Sequence, residues 1–154
     1  MGNQPANAGP GVRADHERAA RLWMPSALER RLEMDLALGE LGFEPFWRYS
    51  ASHLLAQIGR VVRLSRERVP TIADVCWLAG NEDDVLEEWL LDAQGLVQSG
   101  RSDPGQMEVA ASWKHGVWDQ VDHRTKRAIR RTLFLAALKV VDGSWSHTRE
   151  LGGR

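Results

Sequence analysis

The sequence has a single cysteine, Cys76, among its 154 residues, so it excludes an internal disulfide. It has no apolar run near the roughly 20 residues that span a bilayer, which argues against a membrane partner. It also lacks a phosphate-binding glycine loop, a Gly-x-Ser-x-Gly turn and a His-Glu-x-x-His motif. These absences predict no cofactor and no metal site, and they leave open whether the protein catalyses any reaction.

Lysine is scarce, with 3 residues against 17 arginines, and the net charge is −1. A hydrophobic content of 43% is ordinary for a globular protein and predicts one domain, over residues 14–143. Residues 1–13 are rich in glycine and proline and lack an apolar segment like that of a signal peptide. We therefore expect a disordered N-terminal tail, a flexible tail over residues 144–154 and a cytoplasmic location.

Apolar periodicity predicts two long helices in the first half of the chain. The first runs from about Asp15 to Leu41, although Pro25 interrupts it. Ser26 and Glu29 have capping-box spacing, which favours a fresh helix start at that point. The second begins at Pro45, which suits a first helical turn, and runs to about Ser65.

The segment Thr71–Gly116 predicts a winged helix-turn-helix. A short helix ends at Gly80, and a second helix follows and ends at Gly95. Two strands, Leu96–Ser99 and Gln106–Ala111, then form a small β-ribbon around an Asp-Pro-Gly tip. A last helix over about Arg124–Val141 completes a mainly α fold in which long helices flank the winged unit.

The charge of this segment disagrees with a DNA-reading surface. It holds nine acidic residues against two basic ones, a net charge of −7. Affinity for nucleic acid comes mostly from lysine and arginine that neutralise phosphate, so DNA becomes a doubtful partner. The acids of the first turn also favour the dipole of the second short helix, which is a structural reason for their presence.

Three stretches carry a resemblance to the MarR family of bacterial regulators: ERRLEMDLALGELGFEPFW, VPTIADVCWLAG and LEEWLLDAQGLVQSGRSDPG. The resemblance covers about Asp15–Val141 in order and spacing. It implies a winged-helix homodimer with an aromatic ligand pocket between the dimerisation helices and the winged unit. The chain departs from the family at the wing, where no arginine follows Asp103.

The homodimer is also expected from the apolar faces of the first and last helices, which usually need a partner. The residues predicted to pair with a second copy are Leu28, Leu32, Leu36, Leu133, Ala137 and Val140.

Polar side chains on the second long helix are the candidate ligand site. Tyr49 and His53 are four residues apart and share a helix face, next to Arg48 and Trp47. Tyrosine and histidine can exchange hydrogen bonds with a phenolic ring, and arginine can hold a carboxylate. Trp23 is a further candidate wall, and a merely solvated helix face is the structural alternative.

Three functions follow from these features. The leading one is a MarR-like homodimer that binds a small aromatic or acidic organic molecule, with a degraded DNA-reading surface. The first alternative is a working transcriptional regulator that contacts DNA through Arg68, Arg101 and Lys114. The second is a protein-binding adaptor or antirepressor that uses the acidic winged-helix face as a docking surface.

Overall fold

A computed structural model describes residues 17–39 and 44–152, with side chains placed as far as Gly143. After a helical stretch over residues 17–22, six α-helices and one 3₁₀ turn follow. None of these helices is long and apolar enough to cross a bilayer. The elements are α1 (Ala27–Leu38), α2 (Pro45–Arg66), α3 (Ile72–Gly80), α4 (Asp83–Gln98), α5 (Pro104–Gly116), the 3₁₀ turn Trp118–Gln120 and α6 (His123–Gly152).

Local capping signals set the starts of α1 and α3. The Ser26 hydroxyl accepts a hydrogen bond from the backbone of Glu29, whose carboxylate accepts one from the backbone of Ser26. Thr71 and Asp74 form the same reciprocal pair at α3. Each box satisfies two backbone donors that a helix N-terminus leaves free, and the helix start predicted at Ser26 is confirmed.

Helix α2 is the centre of the molecule, because it packs against all five other helices. Pro45 occupies its first turn, and its apolar face is almost fully buried. The side chains of Leu55, Val61, Val62 and Leu64 have no exposed surface. A helix buried around most of its circumference is typical of the core element of an all-α domain.

The predicted β-ribbon is wrong, because the described residues contain no strand. Gly95 does not end α4, which continues to Gln98. The glycine that ends it is Gly100, with φ of +77°, and the backbone N–H of Arg101 donates to the carbonyl of Leu96 at 2.8 Å. This pair of features is the Schellman ending, in which glycine tolerates the left-handed backbone.

The second predicted strand lies inside α5. The Asp103 carboxylate accepts hydrogen bonds from the backbones of Gly105 and Gln106, and Pro104 occupies the first helical position. The Asp-Pro-Gly sequence interpreted as a wing tip is thus a helix start, since a capping acid followed by proline serves both structures. The winged helix-turn-helix is therefore corrected to an all-helical fold.

Helices α3 and α4 follow each other after a turn at Asn81 and Glu82, but they pack mainly against different neighbours. Helix α3 lies on α6, whereas α4 lies on α2 and α5. The N-terminal tail predicted for residues 1–13 lies outside the described residues, as do residues 153–154 of the C-terminal one. Helix α6 passes Gly143, the glycine that could have ended it, and reaches Gly152.

The faces predicted to pair two copies are core faces of one chain. Leu32 and Leu36 of α1 and Leu133 and Ala137 of α6 have no exposed surface. Leu28 and Val140 are partly buried against the same core. The long helices bury their apolar stripes on α2, so these residues give no reason for a second copy.

Candidate functional site

An open cleft of about 490 Å³ lies between the end of α1 and the start of α2. Its position follows from the sequence, because Gly39 ends α1 in a left-handed conformation and Pro45 begins α2. The two helix ends leave a gap that apolar side chains line. The lining residues are Leu36, Ala37, Pro45, Phe46, Arg48, Tyr49 and Ser52.

Arg48 anchors this cleft to the end of α1. Its Nη1 donates to the carbonyl of Ala37 at 2.8 Å and to that of Leu36 at 3.4 Å. These carbonyls belong to the last turn of α1, where a cation is favoured by the helix dipole. The Nε atom of Arg48 is buried and has no hydrogen-bond partner among the described residues, and no carboxylate there pairs with this guanidinium. The arginine therefore keeps positive charge at the cleft.

The other predicted residues of α2 divide between the cleft and its surroundings. Tyr49 lines the cleft, is 69% exposed and makes an edge-to-face contact with His53 at 4.6 Å between ring centroids. Trp47 packs partly buried against the core and touches the ring of Phe46, with centroids 4.8 Å apart. The cleft thus brings together Arg48 and Tyr49, with His53 beside them, whereas Phe46 is a wall that the sequence interpretation missed.

Trp23 does not belong to this cleft. It lines a separate cavity of about 390 Å³ with Leu22, Arg63 and Arg101. The predicted site residues therefore lie in two places. The helix is interrupted at Pro25, and the segment before α1 lies against the end of α2 rather than against its start.

A buried ion pair fastens that segment to α2. Arg63 Nη1 donates to Glu29 Oε2 at 3.0 Å, Nη2 donates to the carbonyl of Met24 at 2.9 Å, and Nε donates to that of Leu22. Burial raises the pKa of the Glu29 carboxyl, but hydrogen bonds from Arg63 and Ser26 outweigh burial and leave it below its usual value. No sequence pattern signals this pair, whose members lie 34 residues apart.

Gly59 provides the room for that ion pair. A Cβ at this position would stand 2.6 Å from Glu29 Oε2 and 2.8 Å from Arg63 Nη1. Glycine in the middle of a helix costs stability relative to alanine, so its presence in α2 is explained by the close approach of these two charges.

The three residues predicted to contact DNA in the regulator alternative are all in ion pairs within the chain. Arg68 holds Asp74 with both terminal nitrogens, and Arg101 Nη2 pairs with Glu67 Oε2 at 2.7 Å. Lys114 is 4% exposed and contacts both Glu87 and Asp119. Side chains engaged in this way are poor phosphate ligands, because each has an acidic partner already.

Further acidic residues of α4 form ion pairs with cations of neighbouring helices. Arg66 Nη1 pairs with Asp92 at 2.9 Å, and its guanidinium lies 4.0 Å over the Trp89 ring. Lys126 and Arg130 of α6 both pair with Asp83. Four of the nine acidic residues of this segment, Asp74, Asp83, Glu87 and Asp92, therefore form ion pairs that hold this part of the bundle together, whereas the other five form none among the described residues.

Neither a metal nor a reactive thiol is indicated. The described residues contain no group of three histidine, cysteine or acidic side chains suited to a metal ion. Cys76 is half-buried in α3, and burial raises the pKa of its thiol, so the thiolate is disfavoured at neutral pH.

Compared with known protein families, curated proteins and solved structures, the chain matches none of them.

Proposed function

We propose that the protein binds a small aromatic carboxylate in the cleft between α1 and α2. The observation that carries this proposal is Arg48, whose guanidinium has no carboxylate partner among the described residues and lies at the edge of an otherwise apolar cleft. Small-molecule sites are typically apolar cavities with a few polar groups that orient the ligand. A volume of about 490 Å³ is ample for one or two rings.

The wall residues favour an aromatic ligand over an aliphatic one. Phe46 and Tyr49 both project with more than half of their surface exposed, which is unusual for large aromatic side chains unless a partner covers them. A flat ring between them gains aromatic contact, and the Tyr49 hydroxyl can donate a hydrogen bond to a ring substituent. Arg48 supplies the charge that attracts the carboxylate.

Binding rather than catalysis is the proposed activity. Within the described structure His53 contacts the Tyr49 ring rather than a carboxylate that would orient its imidazole. A general base needs both a partner and a defined tautomer, and the cleft provides neither to His53. Duplex DNA is not part of the proposal, because the predicted contact arginines are paired and the wing is a helix.

A titration with benzoate, in which the heat of binding is measured by calorimetry, tests the proposal. We expect Tyr49→Ala to weaken benzoate binding about tenfold, because it removes one aromatic wall worth roughly 1–1.5 kcal/mol. Tyr49→Phe and His53→Ala should weaken it less and leave the melting temperature nearly unchanged, because both side chains are exposed.

Trp77→Ala is the matched control, since Trp77 is an exposed aromatic residue of α3 outside the cleft. Benzyl alcohol, a neutral analogue of benzoate, should bind more weakly than benzoate if Arg48 attracts the carboxylate. Equal losses in Tyr49→Ala and Trp77→Ala, or equal affinity for the two probes, would contradict the proposal.

A further inference from the structure

A second cleft, of about 250 Å³, lies where the turn between α3 and α4 meets α6. Gly80, Asn81 and Glu82 form one side of it. The other side is a face of α6 that carries Arg127, Arg130, Arg131 and Phe134. Three guanidinium groups from two adjacent turns of one helix therefore border a single small cavity, distinct from the cleft at Arg48.

Two of these arginines have no acidic partner in the part of the chain that the structure describes. Arg131 is exposed and forms no ion pair there, and the polar contact of Arg127 is with a ring nitrogen of His123 at 3.3 Å. Arginines on a protein surface usually find a carboxylate or remain fully hydrated. Here they share a cavity, which concentrates positive charge in one place.

The third arginine is fixed in position. Arg130 is 7% exposed, and its Nη1 donates to Asp83 Oδ1 at 2.7 Å. Lys126 binds the other oxygen of Asp83 at 2.6 Å and lies 3.9 Å from Asp119 Oδ1, so the charge of Arg130 is balanced within this network and the uncompensated charge at the cleft is that of Arg127 and Arg131. Glu82 is the acid that lines this cleft, and it pairs with none of the three arginines in the described structure. The cleft therefore keeps an excess of positive charge.

The floor of the cleft is apolar. A Cβ on Gly80 would stand 3.1 Å from Cε2 of Phe134, so glycine at this position lets the ring lie against the end of α3. A ring beside guanidinium groups suits a ligand that carries an anion on a flat apolar body. The volume lies just below the usual range for drug-sized ligands, which excludes a dinucleotide.

From this arrangement we propose that the cleft binds the phosphate group of a small aromatic phosphomonoester. A phosphomonoester carries close to two negative charges at neutral pH and offers three acceptor oxygens to the guanidinium groups of Arg127 and Arg131, which have no acidic partner among the described residues. A nucleic acid strand suits the site less well, because the exposed carboxylates of Glu82 and Asp84 flank the cleft and repel a polyanion.

Phenyl phosphate and inorganic phosphate are the probes, and calorimetry of the full chain at low salt is the measurement. We expect phenyl phosphate to bind more tightly than phosphate, because its ring covers Phe134. Arg131→Gln and Arg127→Gln should each weaken phenyl phosphate binding about tenfold, as the loss of a charged hydrogen-bond donor does.

Arg124→Gln is the matched control, since Arg124 is an exposed arginine of the same helix outside the cleft. It should change the affinity less than twofold, roughly the scale of a screened surface charge. The melting temperatures of all three variants should equal that of the parent, because the replaced side chains are exposed.

Three results would overturn the proposal. They are an absence of phenyl phosphate binding to the parent protein at millimolar concentration, equal losses in Arg124→Gln and Arg131→Gln, and binding of a DNA duplex that outcompetes phenyl phosphate. Benzoate competition separates this site from the cleft at Arg48, since benzoate bound there should not displace phenyl phosphate.

Discussion

Asp83 shows how one acidic residue can serve structure rather than recognition. Its carboxylate accepts hydrogen bonds from the indole of Trp118 at 2.9 Å and from Lys126 and Arg130 of α6. Burial raises the pKa of this carboxyl, but the bonds from Lys126 and Trp118 outweigh burial and leave it below its usual value. Asp83 thereby ties the start of α4 to α6 and to the buried indole of Trp118 in the 3₁₀ turn.

We expect Asp83→Asn to lower the free energy of unfolding by about 2 kcal/mol, because it leaves two mostly buried cations without their carboxylate. Asp84→Asn is the control. Asp84 is exposed and bonds only its neighbouring backbone, so its replacement should cost less than about 0.5 kcal/mol. Urea unfolding followed by circular dichroism measures both. Equal costs would show that the contacts of Asp83 contribute no net stability.

Acid should destabilise the fold through Glu29, Asp74 and Asp83, whose folded-state pKa values are all below their usual values. In the unfolded chain these carboxyls titrate near pH 4, so as pH falls the unfolded state binds protons first. Their stabilisation is therefore complete above about pH 5 and is lost as pH falls towards the folded-state pKa values. Urea midpoints measured from pH 7 to pH 3 should decrease below pH 5, and less steeply for Glu29→Gln. A midpoint independent of pH would contradict this.

At the scale of elements, α4 and α5 replace the predicted wing, and two glycines of α4 give a direct test. Gly95 lies inside the helix, and Gly100 ends it at positive φ, while a Cβ at either position meets only open space. We expect Gly95→Ala to stabilise the protein by about 0.5 kcal/mol and Gly100→Ala to destabilise it by about 1 kcal/mol. Thermal unfolding compares them. A destabilising Gly95→Ala would favour the helix end that the sequence predicted.

A helix start can be predicted from the sequence where it depends only on neighbouring residues. The capping box at Ser26 needs only residues three apart in the sequence, and it forms as predicted. The prediction that Gly95 ends α4 was wrong because a glycine is tolerated inside a helix at modest cost. Of the two glycines, only Gly100 takes a left-handed backbone. The Arg63–Glu29 pair could not be predicted, since it depends on how α1 packs on α2.

The candidate site was readable in part for the same reason. Tyr49 and His53 share a face by helical spacing alone, and their ring contact confirms that spacing. Trp23 was grouped with them from composition, but its place depends on the bend before α1. Phe46 was missed because an exposed phenylalanine beside a proline has no distinct pattern.

For the whole molecule, burial of the expected pairing faces changes where a homodimer could form. The apolar side chains that α1 leaves exposed include Met34 and Leu38, at 59% and 63% of their surface. A homodimer stays a prediction, and we expect it to use these residues. Leu38→Glu should shift sedimentation equilibrium at 100 µM towards the 17.3 kDa monomer without changing the melting temperature. A parent protein that is itself monomeric at this concentration would contradict the homodimer.

The contacts of Arg63 also bear on the order in which the chain can fold during its synthesis. Glu29 and the carbonyls of Leu22 and Met24 leave the ribosome well before the arginine that binds them all. Until α2 has been made, the apolar face of the first helix has nothing to pack against, and the Glu29 carboxylate lacks its arginine partner. The first helix therefore cannot pack in its native position before α2 has been synthesised. A ribosome that stalls before residue 63 would expose an apolar segment suited to chaperone binding.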